Sequence, residues 1–280
     1  MKRTKRITLS SVLIKIIVGI FLIVAVYPVF WMLTASLKQP AEFVNKAAYA
    51  LNDGFYFQNY IDAWTRGNMA LFFKNSLINT LVALVFIVVF SVTVGFAVTK
   101  MEWKHKEKVK TYFTLGIMVP VATALIPLFQ IYNKFNLIDT RASLILSYIA
   151  FGLSLSVYLI VGSLGALPNE VLEAAVIDGC DIYKLMWHVV VPLMKNSIVT
   201  VLVLQFFFKW NDLLFSMTFI SDTQLKTVQT GLLYFQNEFG AKNWGAIFAS
   251  VSMSIIPMLA IYIILNKKVI EGMTSGAVKG

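Results

Sequence analysis

Six continuous apolar runs, each near 20 residues, constrain this chain of 280 residues more than any other feature: 12–33, 77–98, 112–131, 142–164, 198–220 and 246–265. About 20 apolar residues carry a helix across roughly 30 Å of hydrocarbon. In lipid a chain must satisfy its own backbone hydrogen bonds, which continuous runs do as helices and alternating segments do as barrel strands. The runs here are continuous, so the sequence predicts an all-α membrane protein with six transmembrane helices. Composition agrees, because 58% hydrophobic and 14% charged side chains leave too little polar surface to cover a water-soluble chain of this size.

The basic segment 1–6 followed by an apolar run could be read as a secretory signal, but the run is long for one and has no clear small-x-small cleavage site, so it reads as a retained anchor. Pro28, Pro120, Pro127 and Pro257 fall within or at the ends of spans, where kinks are plausible. Lys and Arg collect on one side of the predicted membrane, at Lys2, Arg3, Lys5, Arg6, Lys100, Lys104, Lys106, Lys108, Lys110, Lys184, Lys195, Lys267, Lys268 and Lys279. The other side carries only Lys38, Lys46, Arg66, Lys74, Lys134, Arg141, Lys226 and Lys242. Short cytoplasmic loops retain positive charge, so both termini are expected in the cytoplasm. Topology and anionic lipid head groups account for the net charge of +10 better than nucleic acid does, since the basic residues sit at membrane boundaries and form no single stripe. Cys180 stands alone, and His105 and His188 lie in separate loops without partners at ligand spacing, so neither a disulfide nor a metal site is expected, and no cofactor is called for.

The connection between the fourth and fifth runs has well-defined local chemistry. Pro168 suits a first helical turn, Glu170 and Glu173 place negative charge near the positive end of the dipole, and Gly179 can take the left-handed conformation that ends a helix. A short helix is predicted over 168–178, with Val171, Leu172, Ala175 and Val176 on an apolar side and Glu173 and Ala174 on another. A helix lying on the inner leaflet would usually carry Lys and Arg on its polar face; this one is acidic, which suits a protein partner better than lipid.

Within the fifth run Gln205, Lys209, Asp212 and Ser216 recur at helical spacing, with Asn211 and Trp210 beside them. Exposing Lys209 or Asp212 to lipid would cost roughly 2.5–3.5 kcal/mol each, so this face is expected to turn inward. Two readings stay open at this point: a Lys209–Asp212 pair that holds helices together, or a stripe lining a translocation path. Met217, Met253 and Met258 read as packing residues. The 34–75 loop holds Phe55, Tyr56, Phe57, Tyr60 and Trp64, suited to the membrane interface. The 221–244 loop is polar, with Gln229, Gln236 and Asn237.

Glu173-Ala174-Ala175, then Gly179, then Val189, Val191 and Pro192 are in register with the cytoplasmic signature of the inner-membrane permease subunits of binding-protein-dependent ABC importers, and the chain resembles their carbohydrate branch. Valines replace the usual isoleucine and leucine, and Cys180 stands where alanine is common, neither of which disturbs a docking role. The resemblance runs through Trp31-Met32, Ser36-Leu37-Lys38, Asn75-Ser76-Leu77, Ile126-Pro127-Leu128-Phe129, Trp210-Asn211-Asp212 and the 274–280 tail. It implies a cytoplasmic coupling helix between the fourth and fifth spans, with Glu173, Ala174, Ala175, Asp178, Gly179 and Pro192 coupling to a separate ATPase. It further implies a second homologous permease, two ATP-binding subunits, an external solute-binding protein facing the 221–244 loop, and a sugar or similar small solute. The expected organisation is an N-terminal anchor and outer loop over 1–70, a transporter domain over 71–266 and a cytoplasmic tail over 267–280, in a bacterial inner membrane.

The chain contains no Gly-x-x-x-x-Gly-Lys-Ser/Thr phosphate loop, so ATP hydrolysis by that route belongs to a partner, and no catalytic residue is expected here. An ion-coupled secondary transporter is the alternative. It would need acidic sites in several spans and paired broken helices, and Asp212 is the only deep acid.

Overall fold

The computed structural model describes residues 9–47, 49–239 and 243–275, with side chains over 12–47, 49–233 and 243–266. Lys2, Arg3, Lys5, Arg6, Lys242 and Lys279 lie outside the described residues, as do the side chains of Gln236, Asn237, Lys267 and Lys268. The described residues are helical with no strand among them: α1 (Leu9–Ala35), α2 (Pro40–Asn45), α3 (Gln58–Thr65), α4 (Met69–Lys100), α5 (Lys106–Gly116), α6 (Val121–Lys134) and α7 (Arg141–Gly165) come first. They are followed by α8 (Asn169–Ile177), α9 (Ile182–Lys184), α10 (Val191–Leu193), α11 (Lys195–Trp210), α12 (Leu214–Phe219), α13 (Val228–Phe239) and α14 (Trp244–Ser275).

Four stretches are single helices long and apolar enough to span a membrane: Val12–Ala35, Met69–Lys100, Arg141–Gly165 and Trp244–Asn266. Two more candidates are bent pairs, Lys106–Gly116 with Val121–Lys134 at 103° and Ile182–Leu193 with Lys195–Trp210 at 76°, so the described residues hold four candidate spans, or up to six if each bent pair is one span. Two of the apolar runs are thus not the single helices expected. The run 112–131 breaks because Pro120 has no N–H to donate and disfavours a helical Val119; Pro120 sits extended, at φ −67° and ψ 132°, and α6 starts anew behind it. The run 198–220 breaks at Asn211–Leu213, where α11 ends and α12 begins. Pro28, Pro127 and Pro257 lie inside continuous helices.

The chain divides into two compact units. One comprises the described residues up to Met69 together with Tyr234–Ile255. In it α1 leaves its apolar side chains from Val12 to Phe30 almost wholly exposed, as a lipid-facing helix does, while Trp31 packs edge-on to Phe248 at 5.2 Å. The buried Asn59 amide donates to the Ser36 and Lys38 carbonyls at 2.9 and 2.8 Å, tying α3 to the end of α1. Glu42 accepts from the backbone N–H groups of Gln39 and Asp53 and faces Lys46, which also pairs with Asp53. Burial works to raise the Glu42 carboxyl, but these donors outweigh it and hold its pKa below the ordinary carboxylate value.

The other unit comprises Ala70–Leu233 with the described residues from Ile256 onward. α7 lies at its centre, with α5 and α11 packed along it, and α4 meets α7 through apolar side chains. A Cβ on Gly95 would lie 2.5 Å from Cγ2 of Ile160, so glycine is what lets the two backbones approach there. One apolar cluster joins α4, α7 and the segment after α8 through Val92, Phe96, Ile160, Leu164, Leu172, Leu185 and Val190; a second joins α4, α6, α7 and α12 through Ile87, Tyr132, Tyr148, Phe215 and Phe219. At the opposite end of α4 from Lys100, Asn75 accepts from Arg141 at 2.6 Å and donates to the carbonyls of Gln224 and Lys226, and Ser76 accepts from the Val228 N–H. Gly95→Ala should therefore cost about 1–3 kcal/mol of stability, read as a lower melting temperature of the detergent-solubilised protein, and the loss from Gly95→Ala should be smaller when measured in an Ile160→Ala background than in the unmodified protein.

Candidate functional site

The segment from Pro168 to Pro192 is held in place at both of its ends. Its first helix, α8, begins after Pro168, which serves as the N-cap, and ends in a complete glycine cap. Gly179 has φ +85°, its N–H donates to the Val176 carbonyl at 3.0 Å, and the Cys180 N–H reaches back to Ala175 at 3.0 Å. These are the two bonds of the Schellman arrangement, and only glycine adopts that φ without strain. Asp181 then caps α9 by accepting from the Lys184 N–H at 2.8 Å. Beyond it, Leu185–Val190 forms a π-helical turn. Pro192 cannot donate to a carbonyl of the preceding turn, and the widened turn with the 76° bend that follows fits that missing bond.

Around α8 the predicted faces separate only in part. Leu172 is buried, and Ala175 and Cys180 pack against the same cluster. Glu173, Ala174, Asp178 and Gly179 are exposed, as is Pro192, and so are Val171, Val176 and Ile177, the last at 85%. The expected apolar side is thus shared between the protein's own core and solvent. Lys100, the last residue of α4, anchors the entry to α8: its ammonium donates to the Leu167 carbonyl at 2.8 Å and to Asn169 Oδ1 at 2.7 Å. Sequence reading counted Lys100 only as a topology charge, and nothing in its spacing pointed to a partner 67 residues away.

The second site gathers at the α11–α12 break. Gln205, Lys209, Asn211 and Asp212 line a cavity of about 400 Å³, together with Tyr148 and Phe151 of α7 and Gly116 and Ile117 at the end of α5. Gln205 is buried and donates to the Gly152 carbonyl at 3.1 Å. Asp212 accepts from the Phe215 N–H at 3.2 Å and from both the Ser216 N–H at 3.1 Å and the Tyr148 hydroxyl at 2.9 Å, so its carboxylate starts α12 where the α11 ladder has ended. Lys209 lies over the Tyr148 ring at 5.7 Å, and among the described residues no ion pair joins it to Asp212. Ser216, expected on the same stripe, instead belongs to a buried hydroxyl cluster with Thr227 and Thr230. Asn211 donates to Phe207 and to Sδ of Met258, which gives that methionine a polar contact besides packing. Tyr148 carries no sequence signal, being one aromatic in an apolar run.

The whole fold overlays the crystal structure of a bacterial ABC transporter involved in the import of the acidic polysaccharide alginate, with a TM-score of 0.81 over 95% of this chain and 98% of that one, at 20% identity. Sequence places it in the same class: residues 87–273 match the family described as the binding-protein-dependent transport system inner membrane component, and the chain belongs to that family. Relatives include the diacetylchitobiose uptake system permease protein NgcG of Streptomyces coelicolor, 26% identical over 91% of this chain and 84% of its own. Another is the melibiose/raffinose/stachyose import permease protein MelC of Bacillus subtilis, 28% identical over 99% of both chains.

Removing the Lys100 anchor should loosen α8 specifically. Lys100→Met is expected to speed amide hydrogen exchange across 167–178 by about tenfold, the equivalent of one lost charged hydrogen bond, with Lys100→Arg affected less and exchange within α7 unchanged.

Proposed function

We propose that this chain is one of two permease subunits of an ATP-driven importer of sugars or oligosaccharides, and that α8 is the coupling helix through which a separate ATPase drives it. The observation that carries the reading is α8 itself: a short helix with a full glycine cap, anchored through Leu172 and Lys100, that leaves Glu173, Val176 and Ile177 open to a partner. The signature Glu173-Ala174-Ala175, Gly179 and Pro192 falls on this helix and on the bend that leads into α11. Movement of α8 would pass to α11 through the π-helical turn and to α4 through Lys100, switching the path between outward-facing and inward-facing states.

On this reading the two bent pairs are the third and fifth of six spans, both termini are cytoplasmic, and the 221–244 segment, which is expected from sequence as a loop and contains α13, faces an external solute-binding protein. Residues 1–70 serve as anchor and outer loop, 71–266 as the transporter domain and 267–280 as the tail. A second homologous permease and two ATP-binding subunits complete the assembly, and the hydrolytic chemistry is theirs. The solute class follows from relatives named for oligosaccharide import. Gln205, Lys209, Asn211 and Asp212 are proposed to line the path, with Ser216 supporting the wall behind them.

The test is ATP-driven uptake of a radiolabelled oligosaccharide panel by the complete assembly in proteoliposomes. Glu173→Lys places a like charge where a partner's basic group is expected and should cut uptake by at least about tenfold, with membrane insertion and permease pairing intact. Uptake at the unmodified rate would overturn the coupling assignment.

A further inference from the structure

Lys209 is an ammonium group placed deep in the protein, with no hydrogen-bond acceptor among the described residues. Its residue is only 8% exposed, it lines the cavity at the α11–α12 break, it lies over the ring of Tyr148, and it interacts electrostatically with Asp212. A ring face offsets part of the cost of bringing the charge there, but it leaves the ammonium's protons without oxygen acceptors. Asp212 does not fill that role. Its oxygens accept from Tyr148 and from the backbone N–H groups that open α12, and neither comes within ion-pair distance of Lys209. Its charge still balances that of Lys209, so the cavity offers donors while carrying no net charge of the pair.

We propose that this cavity is a binding subsite for a neutral pyranose ring, with sugar hydroxyl oxygens accepting from the Lys209 ammonium and a C–H face of the ring resting on the aromatic wall. The inference rests on the importer reading and adds a solute contact within this subunit. Hydroxyl oxygens supply the acceptors that Lys209 lacks, and they do so without bringing a second anion beside Asp212, which a sugar acid would. Phe151 and Phe208 on the same wall provide ring surface, and an aromatic face is the negative side of its quadrupole, suited to polarised C–H groups. A volume of about 400 Å³ is within the range of small-ligand pockets, roughly 300–1,000 Å³.

The test uses the full assembled importer in nanodiscs, with Cys180→Ser and a reporter Ser154→Cys on the cavity wall, alkylated by iodoacetamide. Methyl α-D-glucopyranoside at about 10–100 mM, suited to a weak subsite, should slow alkylation about threefold or more, and D-glucuronate should not. Lys209→Met should abolish the protection, and Lys209→Gln, which keeps a donor, should retain part of it. Absence of protection by the glucoside, equal protection by glucuronate, or protection undiminished in Lys209→Met would each overturn the proposal. If Lys209→Met fails to assemble, the comparison of glucoside with glucuronate on the reporter protein still decides. Loss of this protection with ATP-driven uptake intact sinks the subsite alone, whereas loss of ATP dependence itself sinks the importer reading.

Discussion

Every place where a helix of this protein stops inside an apolar run has to find new partners for the N–H and C=O groups that the stop releases, because hydrocarbon supplies none. The structure meets that constraint locally each time. Behind Pro120 the chain turns through 103° and a new helix starts. After Trp210 the Asp212 carboxylate takes over the first free N–H groups of α12. Outside the apolar runs the end of α8 is closed in the same local way, the backbone folding back on itself through Gly179 and Cys180. Both candidate sites lie where a helix ends and the chain changes direction.

The unit built on Ala70–Leu233 shows how those breaks are connected. α4 is unbroken over 32 residues, about 48 Å long at 1.5 Å per residue. It is held at one end by Lys100 to the entry of α8 and near the other by Asn75 and Ser76 to the segment after α12. Between these ends it packs on α7 and on α12 through the two apolar clusters. The hydrogen bonds at its ends join the loop around α8 to the far lip of the same unit. The buried Asn75 and Ser76 side chains are expensive in an apolar setting, and each bonds a backbone carbonyl or N–H group that would otherwise be orphaned.

Much of this was legible in the residues themselves. The helical class followed from run length, and the extent of α8 from Pro168, the first-turn acids and Gly179, accurate to within a residue. The polar character of the α11 face followed from the spacing of Gln205, Lys209 and Asp212. What escaped was the break at Asn211–Leu213. It contains neither proline nor glycine, and its cause is a capping carboxylate whose preference for free N–H groups shows only when the helix is seen to end. For the same reason Ser216 was placed on a stripe that the break interrupts.

Sequence alone determined that the chain is helical and membrane-embedded, because hydrophobic run length is a one-dimensional property that lipid reads directly. It also determined where α8 starts and stops, because caps are made by residues within a few positions of each other. Tertiary structure alone decided that Lys100 holds the entry of α8, that Tyr148 shares a cavity with Lys209 and Asp212, and that Leu172 faces the core while Ile177 faces outward. Those relations join residues from helices distant in the chain, and their geometry is set by how closely backbones such as those at Gly95 and Ile160 can approach, which no local pattern encodes.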